Sequence, residues 1–510
     1  PTSKRMRRLN ALLRAVVVAA TSTVALVLLG CASAPVAEDA ESIREQEVLY
    51  QVRRLDGTFT VYRITVSFPG SPSGKTPLYI PREWASAKGA DKGIANLTVL
   101  SPQSKLIAND HAALSKMVEH PPSALVTLSY DLIAIDSAPP RASASTQYLP
   151  ILQPSYLHWI GYTTWVVPWS ATAKKAKLVF ENFAPEWKIA TSFGNGRDLA
   201  FNWNPNTFAQ SLVVAGDFRI VEKKIGESKN KLSFAIRGSW TRDDETFALR
   251  LAEIVASQRD FWRDAEKGDY LVTLLPIEKD RGSSMNGTAL LNSFTSLVTQ
   301  NNTPEDIEYV WVHESLHQWI ARAFGGLEEP QAKLYWFSEG FTDYYTHVLM
   351  LRARQRSLNE FVEEVNSKLL KVSTSKHSGL NNDAVATGFH ADPDIGQLAY
   401  QRGLLLAATW DNDIRAATKG EKSLDDAMRW MLAAQRKNPG TRLNRALIEA
   451  MAKQFGVADP TGDIDRIIEL GKPIKVRVSA LLPCVVDTNA AATSVQRFKI
   501  VEASACAAIY

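Results

Sequence analysis

Two histidines four residues apart flank a glutamate in the run Val310-Trp311-Val312-His313-Glu314-Ser315-Leu316-His317-Gln318-Trp319. On an α-helix such a spacing puts both imidazoles on one face, one turn above each other, where they can be directed at a single metal ion. Glu314 then points to one side of the pair. There it can reach a water at the ion without being a ligand, which is the position of a general base. A catalytic zinc usually has three protein ligands and one open position, so one ligand is left to find. Glu339, 22 residues beyond His317 in Trp336-Phe337-Ser338-Glu339-Gly340-Phe341-Thr342-Asp343, is the candidate, on a segment that reads as a second, largely buried helix. Asp343, one turn further along that helix, is expected to accept the free ring N–H of a ligating histidine.

The alternative is an accidental histidine pair on the wet face of an amphipathic helix. Val310, Trp311, Val312, Leu316, Trp319 and Ile320 make both flanks apolar, which embeds the polar trio in a core. A buried His-Glu-His set without a metal would carry a large desolvation cost. The spacing and its surroundings therefore predict one zinc ion held by His313, His317 and Glu339.

His313-Glu314-x-x-His317 with the downstream Trp-Phe-Ser-Glu-Gly-Phe-Thr-Asp-Tyr-Tyr resembles the gluzincin metallopeptidases, and within them the glycyl aminopeptidase-like family. The resemblance extends from about residue 210 to about residue 455 and, more loosely, to the amino-terminal part. It implies a zinc peptidase with Glu314 as general base and a peptide or protein as substrate. It also implies a role for Tyr400 in Ala399-Tyr400-Gln401-Arg402-Gly403, which is similar to the family's Tyr-x-Lys/Arg-Gly segment, where the tyrosine hydroxyl stabilises the oxyanion. By its own context Tyr400 is a tyrosine on a helix face above Leu404 and Leu405.

The aminopeptidases of this group hold the substrate's α-ammonium with a glutamate in a Gly-rich segment before the metal helix. The corresponding stretch is Asp280-Arg281-Gly282-Ser283-Ser284-Met285-Asn286-Gly287, and no glutamate stands in it. Gly282, Ser283, Ser284 and Asn286 offer neutral contacts to a peptide backbone, and Asp280 is the one carboxylate that a shift of register would bring to the amine. A neutral group prefers an ammonium less than a carboxylate does, so aminopeptidase activity is expected to be weak or absent. Exo- and endopeptidase readings both stay open.

At the start of the chain Lys4, Arg5, Arg7, Arg8 and Arg14 precede an apolar run from Ala15 to Leu29, the charge and hydropathy pattern of a secretory signal peptide. The run ends in Leu28-Leu29-Gly30-Cys31, which resembles the bacterial lipobox, so Cys31 is expected to be lipidated. A short transmembrane anchor is the alternative, but the run is too brief to span comfortably. Lipidation implies a membrane-anchored envelope protein, facing the periplasm or the outside, and Ala32 rather than an aspartate after Cys31 leans towards the outer membrane.

Residues 31–46, rich in Ala, Glu and Asp, read as a tether. The rest is expected to be α+β: an amino-terminal antiparallel β domain over 47–215, a mainly helical, thermolysin-like gluzincin catalytic domain over 216–457, and a short β tail over 458–510. Phe59–Val66, Leu125–Tyr130 and Ser211–Val214 are β-branched or aromatic runs punctuated by Pro, Gly and Asn. Beyond residue 240, Phe247, Leu251, Ile254, Val255 and Phe261 recur at helical spacing, followed by a strand at Leu271–Leu275. The metal helix opens at Thr303-Pro304-Glu305-Asp306 and is expected to end at Gly325-Gly326, with later helices from Ser357, about Gln397, Ser423 and Thr441. Pro473–Val478 reads as a strand.

The net charge of +4 partly reflects the leader, so no nucleic-acid partner follows from it. The other two cysteines, Cys484 and Cys506, could pair in an oxidising compartment or stay free. His111, His120, His377 and His390 stand in polar contexts and are expected on the surface. The competing functional reading is a non-catalytic envelope lipoprotein that binds peptide or protein on a peptidase fold. Degenerate proteins of that kind lose a ligand or the base, whereas here all four positions are filled.

Overall fold

In this computed structural model the described residues are 47–501 apart from 59, 110–115, 143–145, 170–171, 265–266, 478–484 and 490–494. Cys31, Cys484, Cys506 and His111 lie outside them. The expected β region is built from four sheets among the described residues, of six, five, four and two strands. In the six-stranded one the order runs Asp198–Asn202, Lys175–Glu181, Glu47–Arg54, Val61–Pro69, Leu125–Ile133, Ile94–Val99. Inward residues such as Val48, Tyr50 and Val52 alternate with exposed or half-exposed ones, the period of a sheet packed on one face. Pairing is antiparallel except between Glu47–Arg54 and Lys175–Glu181, which run parallel.

A five-stranded sheet follows in the order Arg219–Lys224, Lys231–Ile236, Tyr270–Pro276, Ser293–Val298, Met285–Leu290. Its middle strands pair in parallel, with the helix Asp244–Trp262 as the crossover between two of them. Ser293–Val298 is buried along its whole length because both faces are covered. Phe294 and Val298 join the core under the helices, while Leu297 packs with Leu212 and Val214 of the amino-terminal half. Met285–Leu290 is left at the edge, paired antiparallel to Ser293–Val298 on one side only.

The metal helix, Pro304–Leu316, starts where expected, with a capping box between Thr303 and Asp306 and Pro304 in the first turn. It does not run to Gly325. From His317 the backbone bonds tighten, Gln318 N–H to Ser315 O at 3.2 Å and Trp319 N–H to Leu316 O at 2.9 Å, and the chain continues in turns. The helix carrying Glu339 is Tyr335–Arg352, and Leu358–Thr374 begins with the expected Ser357 capping box. The helix of Tyr400 is Pro393–Ala417, starting earlier than expected because Asp392 caps it, and Asn444 rather than Thr441 caps Arg445–Gln454.

Pro473–Arg477 is not a strand. Its Val476 bonds to the Gln496 side chain through both N–H and C=O, and Arg477 bridges Asp413 and Asp463, so its backbone pairs with no ladder. A small pair, Val485–Asp487 with Phe498–Ile500, is the β element of the tail. His120 also departs from expectation. It is 5% exposed, with Nε2 2.9 Å from Thr76 Oγ1 and Nδ1 2.8 Å from the Pro121 carbonyl.

Candidate metal centre

The two imidazoles and the carboxylate do converge. His313 Nε2 and His317 Nε2 are 3.2 Å apart, and Glu339 Oε2 is 3.3 Å from each. Ligands about 2.0–2.1 Å from a tetrahedral zinc lie about 3.3 Å from one another, so this triangle has the edge lengths of three zinc ligands. Among the described residues it is the group of three or more His, Cys, Asp or Glu side chains that could hold a metal. Burial opposes a charge on His317, yet the Glu339 carboxylate beside it, with Glu314, raises its pKa to about 9. Burial likewise opposes the Glu339 charge, and the histidines more than offset it, holding the carboxyl far below its usual range.

Close packing of two helices fixes the position of Glu339, the third candidate ligand. At Gly403 an added Cβ would lie 1.7 Å from the Trp336 carbonyl oxygen, and at Gly340 one would lie 2.4 Å from the Gly403 α-carbon. Only glycine permits that approach, which sets the helix of Tyr400 directly on the helix of Glu339. Tyr400, one turn before Gly403, is thereby held with its ring 6.0 Å from that of His313 and stacked on Phe389. Burial pushes its phenol well above the ordinary value, and the carboxylates of Glu339 and Glu314 add to this, so it stays a protonated donor.

Glu314 lies against the edge strand. A Cβ at Gly287 would be 2.5 Å from Glu314 Cγ, so glycine is the residue that leaves room for this side chain. Burial raises the Glu314 carboxyl, against the pull of His317 and His313. Gln318 ties the metal helix to the same strand through Leu290 O at 2.7 Å.

Three expectations need correction. Asp343 accepts no ligand N–H: its carboxylate takes the hydroxyl of Tyr309, one turn before His313 on the metal helix, and lies 3.1 Å from Lys368 Nζ, so it serves a buried charge cluster one turn along from Glu339. His313 Nδ1 is buried without a hydrogen-bond partner, and Thr342 Oγ1 stands 3.5 Å from His317 Nδ1. Asp280, the carboxylate that a shift of register would bring to the amine, is instead 88% exposed at its side chain and paired with Arg141. Gly282 and Ser283 accept from Asn301 and Lys279 through their carbonyls in an exposed loop, and Ser284 is bound through its backbone to Thr299 and Asn302. Asn286, whose amide donates to Ser284 Oγ at 3.1 Å, is the one member of that set on the edge strand.

Sequence reading missed Tyr148. Its hydroxyl donates to the Gly287 carbonyl at 2.6 Å, and Glu314 and Glu339 both act on its phenol after burial. No local pattern marks it, since the contact spans 139 residues. His158, given no role from the sequence, is a buried strand residue bonded to Thr295 Oγ1 at 2.8 Å.

The fold resembles those of solved aminopeptidase N family and M1 metallopeptidase structures. It is similar to an aminopeptidase N family protein from Idiomarina loihiensis, with a TM-score of 0.68 at 16% identity over 88% of this chain and 81% of that one. It is also similar to an M1 zinc metallopeptidase from Deinococcus radiodurans, with a TM-score of 0.54 at 13% identity over 84% of this chain and 94% of that one. A mutant of the latter, known with a Tyr-Ser-Ala substrate bound, gives the same score and identity over 84% and 96%. Residues 309–391, which include His313, Glu314, His317 and Glu339, match the family model described as M61 glycyl aminopeptidase. No curated protein matches the chain.

Proposed function

We propose that this protein is a zinc-dependent peptide hydrolase of the gluzincin type, tethered to the bacterial cell envelope through a lipidated Cys31. The observation that carries the hydrolase reading is the triangle of His313, His317 and Glu339 beside Glu314 and an open sheet edge. His313, His317 and Glu339 would hold the ion. When bound, zinc supplies Lewis acidity towards the scissile carbonyl and lowers the pKa of a water towards neutrality.

The chain's own residues supply the rest. Glu314, whose carboxyl is raised by burial, accepts the proton of the attacking water and returns it to the leaving amine. Tyr400 donates a hydrogen bond to the developing oxyanion, a role for which its protonated phenol suits it. The outer side of the strand Met285–Leu290 pairs with no other strand; its Gly287 and Ala289 carbonyls each take one side-chain donor, from Tyr148 and Arg322, and each keeps a second lone pair for an extended peptide lying along the strand. No residue of that strand is acidic. With Asp280 turned to Arg141, the strand lacks a carboxylate for a substrate α-ammonium, which supports tolerance of blocked or internal amino-terminal sides.

The test is a zinc-loaded soluble form of the protein on a peptide library, compared with Glu314→Gln. Cleavage by the first alone supports the reading, and cleavage by neither rejects it. For the envelope location, palmitate labelling of the full chain should be present and be lost in Cys31→Ala.

A further inference from the structure

Arg322 lies in the turns after the metal helix and reaches back to the edge strand. Its Nη2 donates to the Ala289 carbonyl at 3.2 Å and its Nη1 to the Gln210 side chain, while its Nε is buried without an acceptor. No carboxylate among the described residues pairs with it; the acidic groups that face it are the phenols of Tyr162 and Tyr270. Asp264, the carboxylate of this neighbourhood, is already shared by Lys267 at 3.6 Å and Arg436 at 2.9 Å. Arg442, whose charge also acts on the Tyr162 phenol, donates to a backbone carbonyl, Leu327 O, at 3.1 Å. An enclosed guanidinium with spare donors and no counter-ion is costly, and an anion from outside would relieve that cost.

Its place relative to the chemistry is set by the strand. Ala289 is two residues beyond Gly287 on the same edge, about 7 Å along, and Gly287 is the residue that touches Glu314. A peptide paired antiparallel with this edge, the commoner arrangement, runs with the residues before its cut towards Ala289. On that side the wall is aromatic: Trp84 stacks on Tyr162 at 5.5 Å and meets Tyr148 edge-on at 5.8 Å.

We propose that Arg322, with the added charge of Arg442, is a specificity determinant that binds a carboxylate of the substrate, favouring Asp or Glu at one of the two positions before the cut. This rests on the peptide-hydrolase reading of the site. A planar guanidinium matches a carboxylate through two parallel N–H bonds, and an aromatic wall excludes the water that would screen the pair.

The test uses the zinc-loaded Glu314→Gln protein and fluorescent N-acetylated peptides that differ only in Glu, Gln or Lys at those positions. The Glu peptides should bind about tenfold tighter than the Gln peptides, and the advantage should shrink as salt rises. Adding Arg322→Gln should abolish it. Should that variant fail to fold, the exposed change Arg442→Gln should still lower the preference severalfold. Equal binding of Glu and Gln peptides, a preference unchanged in both arginine variants, or no binding of any peptide would overturn the proposal. Cleavage by the wild-type protein, measured in parallel, separates the two readings. Cleavage without acidic selectivity sinks the role of Arg322 alone, whereas selective binding without cleavage supports that role and sinks the hydrolase reading.

Discussion

Gly287 and Glu314 meet at the centre of the site: a single methyl group on the glycine would stand 2.5 Å from the glutamate's Cγ and 2.6 Å from its Oε1. Gly287→Ala must therefore displace either the edge strand or the carboxylate. With Glu314 acting as the proposed general base and not as a ligand, turnover should fall about tenfold to a hundredfold, with the zinc content unchanged. Steady-state kinetics with metal analysis checks this, and wild-type turnover would show that Glu314 is not held by this contact.

Gly403 bears on stability rather than on chemistry. Alanine there would drive a methyl into the Trp336 carbonyl at 1.7 Å, backbone against backbone, so the two helices must separate. The expected loss is about 3 kcal/mol, the upper end of what overpacking costs, or failure to fold. Denaturant unfolding of the zinc-loaded protein measures it.

The two tyrosines should differ in what their hydroxyls do. Tyr400→Phe removes an oxyanion donor and should lower turnover about 100-fold to 1000-fold while KM and zinc hold. Tyr148→Phe leaves the Gly287 carbonyl without its donor and should act on both KM and turnover, by about tenfold together, because the strand that seats the peptide is loosened. Equal effects of the two changes on turnover alone would contradict this division.

Chain-end recognition offers a fourth comparison. One peptide with a free and with an acetylated amino terminus should be cleaved at rates within a few-fold of each other, since no carboxylate lies on the edge strand. Asp280→Asn should change neither rate, given that Asp280 is exposed and paired with Arg141. Strong cleavage of the free form only would reject the expectation.

What could be read from the sequence was what local spacing carries. His313, Glu314 and His317 are one helical turn, Glu339 follows on the next long helix, and the Thr303 and Ser357 capping boxes mark helix starts through residues three apart. What could not be read depends on packing between distant segments. Tyr148, Gly287 and Arg322 meet the site through a sheet edge whose partners are set by topology, with Arg322 reaching Gln210 across 112 residues. Asp343 was misread for a related reason. Helical spacing places it one turn from Glu339, but whether that side of the helix meets a histidine or Lys368 is decided by how Leu358–Thr374 packs against it. Of the strand expected at Pro473–Val478, the described part, Pro473–Arg477, joins no sheet: Gln496 takes the backbone of Val476, and two aspartates hold the Arg477 guanidinium.

The central claim is that three side chains hold one zinc ion and a fourth uses it. Metal analysis of the purified protein alongside Glu339→Ala and Glu314→Gln tests it most directly, because only Glu339 belongs to the ligand triangle. The account predicts one zinc per chain in the wild type and in Glu314→Gln, with activity lost in the latter, and loss of both zinc and activity in Glu339→Ala. A Glu339→Ala protein that kept stoichiometric zinc at native affinity, or a Glu314→Gln protein that still cleaved peptides at the wild-type rate, would contradict it.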